Sequence, residues 1–340
     1  MTTTNASFRV VLQGFAEQIS SRKITNEDLA QLMDTSDEWI TQRTGIKTRY
    51  WALEGETTSD LGAAAARATL HRCGNPKVDA IVAATITPEY FFPGIGVIMQ
   101  HKLGLEQIPA FDIRNQCAGF IYGLELADSL VRSGRYNRVL LVGAEIQSTF
   151  LDLTTRGRDM AVLFGDAAGS CLVERLDDCV SPSKMMYEVL GTELHGDGKY
   201  QKELFREHPG AITPITSNLI EEVRLFPYMN GRLVFEHAVR SMVEVSRSLL
   251  DKLNLKSSDV RFFVPHQANI RINKMVAKQI GLSETQVIST IENYGNTTSA
   301  TIPIGMVEME KKNDLFSGDI ILSAAFGSGF TWGASVLKVI

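Results

Sequence analysis

The stretch FDIRNQCAGF, residues 111–120, joins a short apolar run to a helical pattern and places Cys117 at the junction. A thiol at a helix N-terminus lies near the positive end of the helix dipole and near unpaired backbone N–H groups, and both favour the reactive thiolate. We therefore expect Cys117 to be a nucleophile. Cys73, Cys171 and Cys179 lack such a context and are interpreted as inert structural cysteines.

Short runs rich in β-branched residues and alanine recur on both sides of this stretch and predict buried strands. These runs cover residues 78–85, 110–113, 139–143, 170–174, 262–264, 320–325 and 334–339. Helical patterns over residues 58–73, 118–133 and 232–253 lie between them. The alternation predicts an α/β fold in which helices cover the sheets.

A weak internal repeat indicates two halves. Phe164-Gly165-Asp166 precedes one predicted strand, and Phe326-Gly327-Ser328 precedes another roughly half a chain later. Polar residues and Pro182 interrupt the pattern in between. We therefore predict an N-terminal half, residues 1–178, which carries Cys117, and a C-terminal half, residues 179–340.

Composition narrows the class of protein. The 340 residues are 44% hydrophobic, which is enough for a large core, and the net charge of −5 argues against general nucleic-acid binding. We expect no membrane helix and no secretory signal, because no apolar run is long enough and the N-terminus lacks a basic segment followed by an apolar one. Four cysteines without metal-ligand spacing favour a reduced, cytoplasmic setting and no metal site.

Two later segments supply an imidazole and a carboxamide. His266 stands in PHQAN, residues 265–269, and Asn296 stands in YGNTTSA, residues 294–300. With Cys117 they make a set suited to thioester chemistry, in which an acyl-enzyme forms and negative charge is stabilised beside it. The same residue types serve papain-type hydrolases, but the sequence around that family's cysteine is missing here. A structural histidine and a turn-forming asparagine are the simpler alternatives.

These segments closely resemble the β-ketoacyl-acyl-carrier-protein synthase III family of the thiolase superfamily. Further matches are DTSDEWI at residues 34–40, RTGI at 43–46, FGD at 164–166 and FGSGFTWG at 326–333. The resemblance extends over roughly residues 8 to 340. It implies a five-layered α-β-α-β-α sandwich of two duplicated halves, and a homodimer.

The resemblance also implies a two-stage reaction that uses a CoA thioester as substrate and no cofactor. Cys117 would take the acyl group of an acyl-CoA, with the oxyanion held by the backbone N–H groups of Cys117 and Ser328. Malonyl-acyl carrier protein would then lose carbon dioxide. Neutral His266 and Asn296 would donate hydrogen bonds to the resulting enolate, which attacks the acyl group.

Substrate-binding residues are implied in the same way. Trp39 would stack on the adenine of CoA with Arg156 on its other face, since an indole and a guanidinium suit a flat aromatic ring. Thr35 and Arg43 would reach polar groups of CoA, and Asn269 would touch the pantetheine arm.

A basic stripe follows His266. Arg271, Lys274 and Lys278 fall on one face of a helix predicted over residues 267–280, on an otherwise acidic chain. Acyl carrier proteins are strongly acidic, so this stripe is a candidate docking surface, with an ordinary solvated face as the alternative. Glu236 stands where the family often has a lysine, which weakens the interpretation.

Other positions concern the acyl group. Phe92 matches a position that in the family reaches across the dimer to limit the partner's acyl pocket. The polar residues 114–116 before Cys117 differ from the residues that precede the cysteine in acetyl-primed relatives, and they favour a medium or longer primer.

The segment 195–228 departs from the alternation of strands and helices, and we expect it either to shape the mouth of the site or to be a plain surface loop. Ser328 replaces a frequent glycine of the family.

Two rival functions use the same fold. One is an acyltransferase that passes the acyl group from Cys117 to an oxygen or nitrogen nucleophile without forming a carbon–carbon bond. The other is a non-catalytic binding partner, which the presence of Cys117, His266 and Asn296 argues against.

Overall fold

The computed structural model describes residues 8–179, 183–208, 210–211 and 225–340. The strands are β1 (Val10–Ile19), β2 (Arg22–Thr25), β3 (Thr48–Trp51), β4 (Ala80–Ala84), β5 (Ala110–Ile113), β6 (Arg138–Glu145), β7 (Ala167–Arg175), β8 (Met186–Gly196), β9 (Leu204–Phe205), β10 (Tyr228–Met229), β11 (Val260–Phe263), β12 (Ile320–Gly327) and β13 (Thr331–Val339). The helices are α1 (Asn26–Ala30), α2 (Asp37–Thr44), α3 (Thr58–Arg72), α4 (Ile95–Lys102), α5 (Gly119–Arg132), α6 (Arg158–Ala161), α7 (Gly231–Lys252), α8 (Ile270–Ile280), α9 (Ile291–Tyr294) and α10 (Thr301–Lys312). Within these ranges no helix combines the length and apolar character needed to cross a membrane.

Nine strands form one mixed sheet in the order β11-β12-β13-β8-β1-β7-β6-β4-β5. Strands from the first part of the chain lie on one side of the β1–β8 junction, and strands from the second part lie on the other. The junction itself is short, because only Val11, Leu12 and Gln13 of β1 pair with β8. The predicted division after residue 178 falls between β7 and β8 and stays a prediction.

Helices cover both outer faces of the sheet and fill the space between its two parts. α3 and α4 pack on β4, β6 and β7 through one cluster of buried apolar residues. α7 and α8 pack on β11, β12 and β13 through a second cluster. α5 and α10 lie in the middle, where a third cluster joins them to strands of both parts. The resulting order is the predicted five-layered α-β-α-β-α sandwich.

Every run predicted as a strand is a strand in the structure, with ends that differ by a few residues. The long strands β1 and β8 were not predicted. Polar side chains interrupt the apolar pattern of both strands. In β1 the buried side chain of Gln13 donates a hydrogen bond to buried Glu174, and Gly14 adopts a φ of 67° at a break in the pairing register. Such a strand lacks the continuous apolar run that identifies its neighbours.

Candidate active site

Cys117 lies in a 3₁₀ turn, Gln116–Ala118, between the end of β5 and the start of α5. Gln116 has a φ of 46°, a left-handed conformation that is uncommon for a residue with a side chain. The turn that contains Gly327 packs against Cys117, since a Cβ atom at Gly327 would lie 3.0 Å from the backbone nitrogen of Cys117. Only glycine allows the two backbones to approach so closely.

The surroundings of Cys117 disfavour the thiolate. Burial and, to a smaller extent, the nearby Glu145 carboxylate raise the pKa of Cys117 to about 12, and the backbone N–H of Cys117 acts to lower it. Loss of hydration therefore opposes the effect that the sequence predicts for the helix N-terminus, and the nucleophilic role of Cys117 stays a prediction.

Glu145 is a buried carboxylate that the sequence analysis missed. Its oxygens accept hydrogen bonds from Thr87 Oγ1 at 2.7 Å, Ser299 Oγ at 3.0 Å and the Ile86 backbone N–H at 3.2 Å. Burial raises the pKa of Glu145 to about 7. The sequence signal that could have identified this residue is that Glu145 ends β6 directly after the apolar run 139–144.

His266 follows β11, where its backbone N–H donates to Ala324 at 2.8 Å, and its side chain is only 2% exposed. Burial lowers the pKa of His266 to about 3, so the ring is neutral at physiological pH. Its Nδ1 lies 2.8 Å from the hydroxyl of Thr301, and Nε2 has no hydrogen-bond partner among the described residues. A neutral imidazole with a free Nε2 is what the implied condensation step requires.

The hydroxyl of Thr301 decides which nitrogen of His266 carries the proton. It lies 2.9 Å from the carbonyl of Thr298 as well as 2.8 Å from Nδ1. With its hydrogen on Thr298 it accepts from Nδ1–H, and Nε2 is an acceptor. With its hydrogen turned to Nδ1 it leaves Nε2–H as a donor.

Asn296 is held by its backbone and by one oxygen of its side chain. Its backbone N–H donates to Leu163 at 2.8 Å, and its backbone carbonyl accepts from Gly165 at 3.1 Å. Its Oδ1 accepts from the Thr298 N–H at 2.9 Å. Because Oδ1 is occupied, the Nδ2 group is the part of the amide left to donate to a substrate.

Cys117, His266 and Asn296 line one cavity of about 680 Å³, together with Trp39 and Arg43. The structure thus brings the predicted thiol, imidazole and carboxamide together, although they lie far apart in the sequence. The cavity has the dimensions of a small-molecule site. It extends from the partly exposed Trp39 to the thiol of Cys117.

Asn269 lines the same cavity at the start of α8. Its Oδ1 accepts from the Arg271 N–H at 2.9 Å, and its Nδ2 donates to the backbone carbonyl of Arg43 at 2.9 Å. Because Asn269 caps the helix, α8 begins at Ile270 rather than at Gln267 as predicted.

Two arginines lie over the ring of Trp39. The Arg43 guanidinium is 4.4 Å and the Arg158 guanidinium 4.8 Å from the ring centroid. Arg156, which was expected there, instead pairs with Asp152 at 2.6 Å and lies 5.7 Å from the Phe226 ring. The arginine beside Trp39 is therefore Arg158 rather than the expected Arg156. Arg158 begins α6, whereas Arg156 lies in the turn before it, so the two side chains have different neighbours.

Thr35 and Arg156 are absent from the described lining of the cavity. The Thr35 hydroxyl is buried and has no hydrogen-bond partner in the described ranges. Its predicted contact with CoA stays a prediction.

Ser328 lines a second cavity that also reaches Cys117, whereas Phe92 lines neither cavity. Ser328 donates its hydroxyl to the Leu204 carbonyl, and it is not among the residues with a left-handed φ, so a serine fits this turn without strain. Its role in the oxyanion hole stays a prediction. Phe92 is 81% exposed and contacts Phe91 edge-on, with ring centroids 6.3 Å apart, so its side chain is turned to the surface of its own subunit.

Described residues of the 195–228 excursion do shape the site. Leu204 lines the 680 Å³ cavity, and Leu204, Phe205 and Pro227 line a second cavity beside it. The remainder of the excursion, residues 209 and 212–224, lies outside the described residues.

The predicted basic stripe is exposed on α8. Lys274 forms an ion pair with Glu284 at 3.0 Å, and Arg271 lies 5.7 Å from the Phe235 ring. Lys278 has no ion pair among the described residues. The three charges are therefore not equivalent, and docking stays a prediction.

Comparisons with known proteins agree with this geometry. The 3-oxoacyl-[acyl-carrier-protein (ACP)] synthase III family matches residues 111–198, and the family of its C-terminal part matches residues 250–339. The β-ketoacyl-[acyl-carrier-protein] synthase III of Cereibacter sphaeroides is 39% identical over 98% of this chain and 99% of its own length. That of Helicobacter pylori J99 is 39% identical over 97% and 98%.

Comparison with solved structures supports the same assignment of the fold. The 3-oxoacyl-[acyl-carrier-protein] synthase III of Aquifex aeolicus is similar with a TM-score of 0.85 and 36% identity, covering 97% of this chain and 99% of that one. The Pseudomonas aeruginosa enzyme is similar with a TM-score of 0.86 and 34% identity, covering 97% and 98%. The predicted fold class is confirmed, and the chain belongs to the β-ketoacyl-[acyl-carrier-protein] synthase III family.

Proposed function

We propose that this transferase catalyses the decarboxylative Claisen condensation of an acyl-CoA primer with malonyl-acyl carrier protein, in fatty acid or related biosynthesis. The observation that carries the proposal is the shared cavity of Cys117, a neutral His266 and an Asn296 whose Nδ2 is free to donate. Its support in the comparisons is the 39% identity to named synthases over nearly the whole chain.

In the first half-reaction, Cys117 Sγ attacks the thioester carbonyl of the acyl-CoA. The C–S bond to CoA breaks, and the thiol proton leaves with CoA. The backbone N–H groups of Cys117 and Ser328 would hold the oxyanion, because the Gly327 turn brings this backbone against Cys117. The high pKa of Cys117 means that deprotonation accompanies attack rather than preceding it.

In the second half-reaction, the malonyl thioester loses carbon dioxide, and the bonding electron pair forms an enolate. His266 Nε2–H and Asn296 Nδ2 would donate to the enolate oxygen. The enolate carbon attacks the acyl carbonyl on Cys117, and the C–Sγ bond then breaks with its electron pair leaving on Sγ, which takes up a proton from solvent to restore the thiol. Burial keeps His266 neutral, so it can donate a hydrogen bond without releasing a full proton.

The partners are proposed on the same basis. The CoA nucleotide would bind at Trp39 beside Arg158, and carrier protein would dock near the exposed Arg271 and Lys278. We also propose a cytoplasmic homodimer, with Phe92 turned away from its own subunit. The chain's own residues can supply each step, so no cofactor is included.

The two half-reactions give the test. Incubation with acyl-CoA should add one acyl mass to Cys117, and Cys117→Ala should abolish the addition. With malonyl-acyl carrier protein, the acylated enzyme should release carbon dioxide and form a 3-oxoacyl product. Acylation of Cys117 without carbon dioxide release, in the presence of an alcohol or amine acceptor, would favour the acyltransferase instead.

A further inference from the structure

A second cavity of about 540 Å³ shares Cys117, Met160, Phe164 and Leu204 with the first. Trp39 and Asn269 do not line it. An acyl group transferred to Cys117 from CoA in the first cavity has this second space available to it. The volume falls within the usual range for small-molecule sites, roughly 300–1,000 Å³, and is far larger than an acetyl group needs.

Part of the wall is apolar and suits a carbon chain. Ile86, Phe91, Phe150, Phe164 and Phe205 contribute to it. Burial of methylene groups against such side chains is favourable. This part of the cavity supports the expectation of a medium or longer primer.

The other part of the wall is cationic. Arg206 is partly buried there, with its Nε donating to the Leu225 carbonyl at 2.9 Å and its guanidinium 3.9 Å from the Phe150 ring centroid. Arg114, three residues before the nucleophile, lines the same cavity. Burial and the charge of Arg114 lower the pKa of Arg206, so the two positive groups repel each other.

No carboxylate among the described residues forms an ion pair with either arginine. Glu89, in the same wall, is already engaged by the backbone N–H and the hydroxyl of Ser59. Arg206 is partly buried and Arg114 is exposed, and among the described residues neither is ion-paired, so an anion bound between them would offset their mutual repulsion.

His208 provides a second, independent indication of a ligand. It is only 1% exposed and lines the cavity, yet its Nδ1 has no hydrogen-bond partner among the described residues. Its Nε2 lies 3.6 Å from a carboxylate oxygen of Glu207, beyond hydrogen-bond distance. Buried polar atoms normally have partners, so an unpaired one in a cavity wall suggests that a bound group supplies it.

We propose that the acyl primer ends in a carboxylate: an ω-carboxyacyl thioester of medium length whose chain lies on the apolar wall and whose far end binds Arg206 and Arg114. This inference rests on the proposed function and adds the class of primer. Among the described residues, the hydrogen bond of the Arg206 guanidinium uses Nε, and its two terminal nitrogens match the fork geometry of a carboxylate. An alkyl primer would leave both guanidinium groups without a carboxylate partner.

Length-matched thioesters test the proposal. Intact-mass spectrometry should compare self-acylation by suberoyl-CoA with that by octanoyl-CoA, and by adipoyl-CoA with that by hexanoyl-CoA. At least one dicarboxylic thioester should acylate Cys117 about 10- to 100-fold more efficiently than its neutral partner, which is the scale of a charge-assisted hydrogen bond. Faster acylation by the neutral member of both pairs would overturn the inference.

Substitutions in the cavity wall identify the residues responsible for the preference for a dicarboxylic thioester. Arg206→Gln should remove most of that preference, chiefly through slower acylation by the dicarboxylic thioester, and Arg114→Gln should reduce it if Arg206→Gln fails to fold. Arg135→Gln, at an exposed site outside both cavities, is the matched control and should behave as wild type. Equal loss with both thioesters in the two cavity variants would contradict the carboxylate role.

The same data separate the two proposals. If octanoyl-CoA acylates Cys117 and the product condenses, but neither dicarboxylic thioester reacts, the carboxylate inference fails and the condensing function stands. If no thioester of either kind acylates Cys117, the proposed function itself fails.

Discussion

The hydroxyl of Thr301 lies 2.8 Å from Nδ1 of His266 and is the one side-chain partner of that ring in the described chain. The relationship matters because His266 is fully enclosed and neutral. The Thr301 hydroxyl and the Thr298 backbone carbonyl are described groups beside its ring, and the rotation of that hydroxyl influences whether Nε2 donates or accepts. Condensation needs the donor, and Thr301 is therefore a positioning residue.

Thr301→Val should impair decarboxylation selectively. Valine keeps the shape of threonine but cannot donate a hydrogen bond to Nδ1, so the interaction that can hold the proton on Nε2 is lost. We expect a loss of about 10- to 100-fold, below the roughly 10²–10³-fold cost of deleting a direct donor. Carbon dioxide release from malonyl-acyl carrier protein measures it, with self-acylation of Cys117 as the internal reference.

Thr301→Ser is the matched control and should restore most of the rate. The ¹⁵N chemical shifts of His266 should move in the valine variant and not in the serine variant. If both half-reactions fell equally, Thr301 would have only a structural role.

Cys117 should become more reactive as the pH rises, with no plateau near neutrality. A thiol pKa of about 12 means that the thiolate fraction of the free enzyme grows about tenfold per pH unit from pH 7 to 10. The rate of alkylation of Cys117 by iodoacetamide, followed by peptide mass spectrometry, reports this fraction. A rate that levels off at neutral pH would indicate a thiolate instead.

Glu145→Gln should accelerate that alkylation only above neutral pH. The pKa of Glu145 is about 7, so the carboxylate is charged mainly above that value, where it opposes the Cys117 thiolate. Removing one nearby like charge should speed alkylation about tenfold at pH 8.5, equivalent to about one pKa unit, and little at pH 6. Glu244→Gln, an exposed change on α7, controls for net charge, and a uniform effect at all pH values would exclude the charge mechanism.

Apolar runs in the sequence predicted alternating strands and helices, because that pattern is local, whereas the five layers and the meeting of Cys117, His266 and Asn296 were implied by the resemblance to the family. The sequence did not predict β1 or β8, because polar residues interrupt their apolar patterns, as Gln13 of β1 does where its side chain donates to Glu174 of β7. It also did not indicate the burial that raises the pKa of Cys117, because burial is a property of the assembled chain rather than of the motif.

Lys278→Glu should weaken the use of malonyl-acyl carrier protein more than Lys274→Glu does. Lys274 already pairs with Glu284 at 3.0 Å, whereas Lys278 has no ion pair in the described ranges. We expect the KM for malonyl-acyl carrier protein to rise about three- to tenfold for Lys278→Glu at low salt, and less at 0.5 M salt, where exposed charges are screened. Self-acylation by acyl-CoA is the control, and equal effects of the two substitutions would contradict the asymmetry.

Arg158, rather than Arg156, should bind the nucleotide end of CoA. Arg158 lies over Trp39, so adenine inserted between them would contact a cation on one face and an indole on the other. Such a contact contributes about 1–2 kcal/mol, so Arg158→Ala should raise the KM for acyl-CoA about 5- to 30-fold. Arg156→Ala should change that KM little, because Arg156 is paired with Asp152. An acyl-pantetheine lacks the nucleotide, so it should react equally well with both variants and the wild type. If Arg158→Ala also slowed the reaction with acyl-pantetheine, the defect would lie in the fold around Trp39 and not in adenine binding.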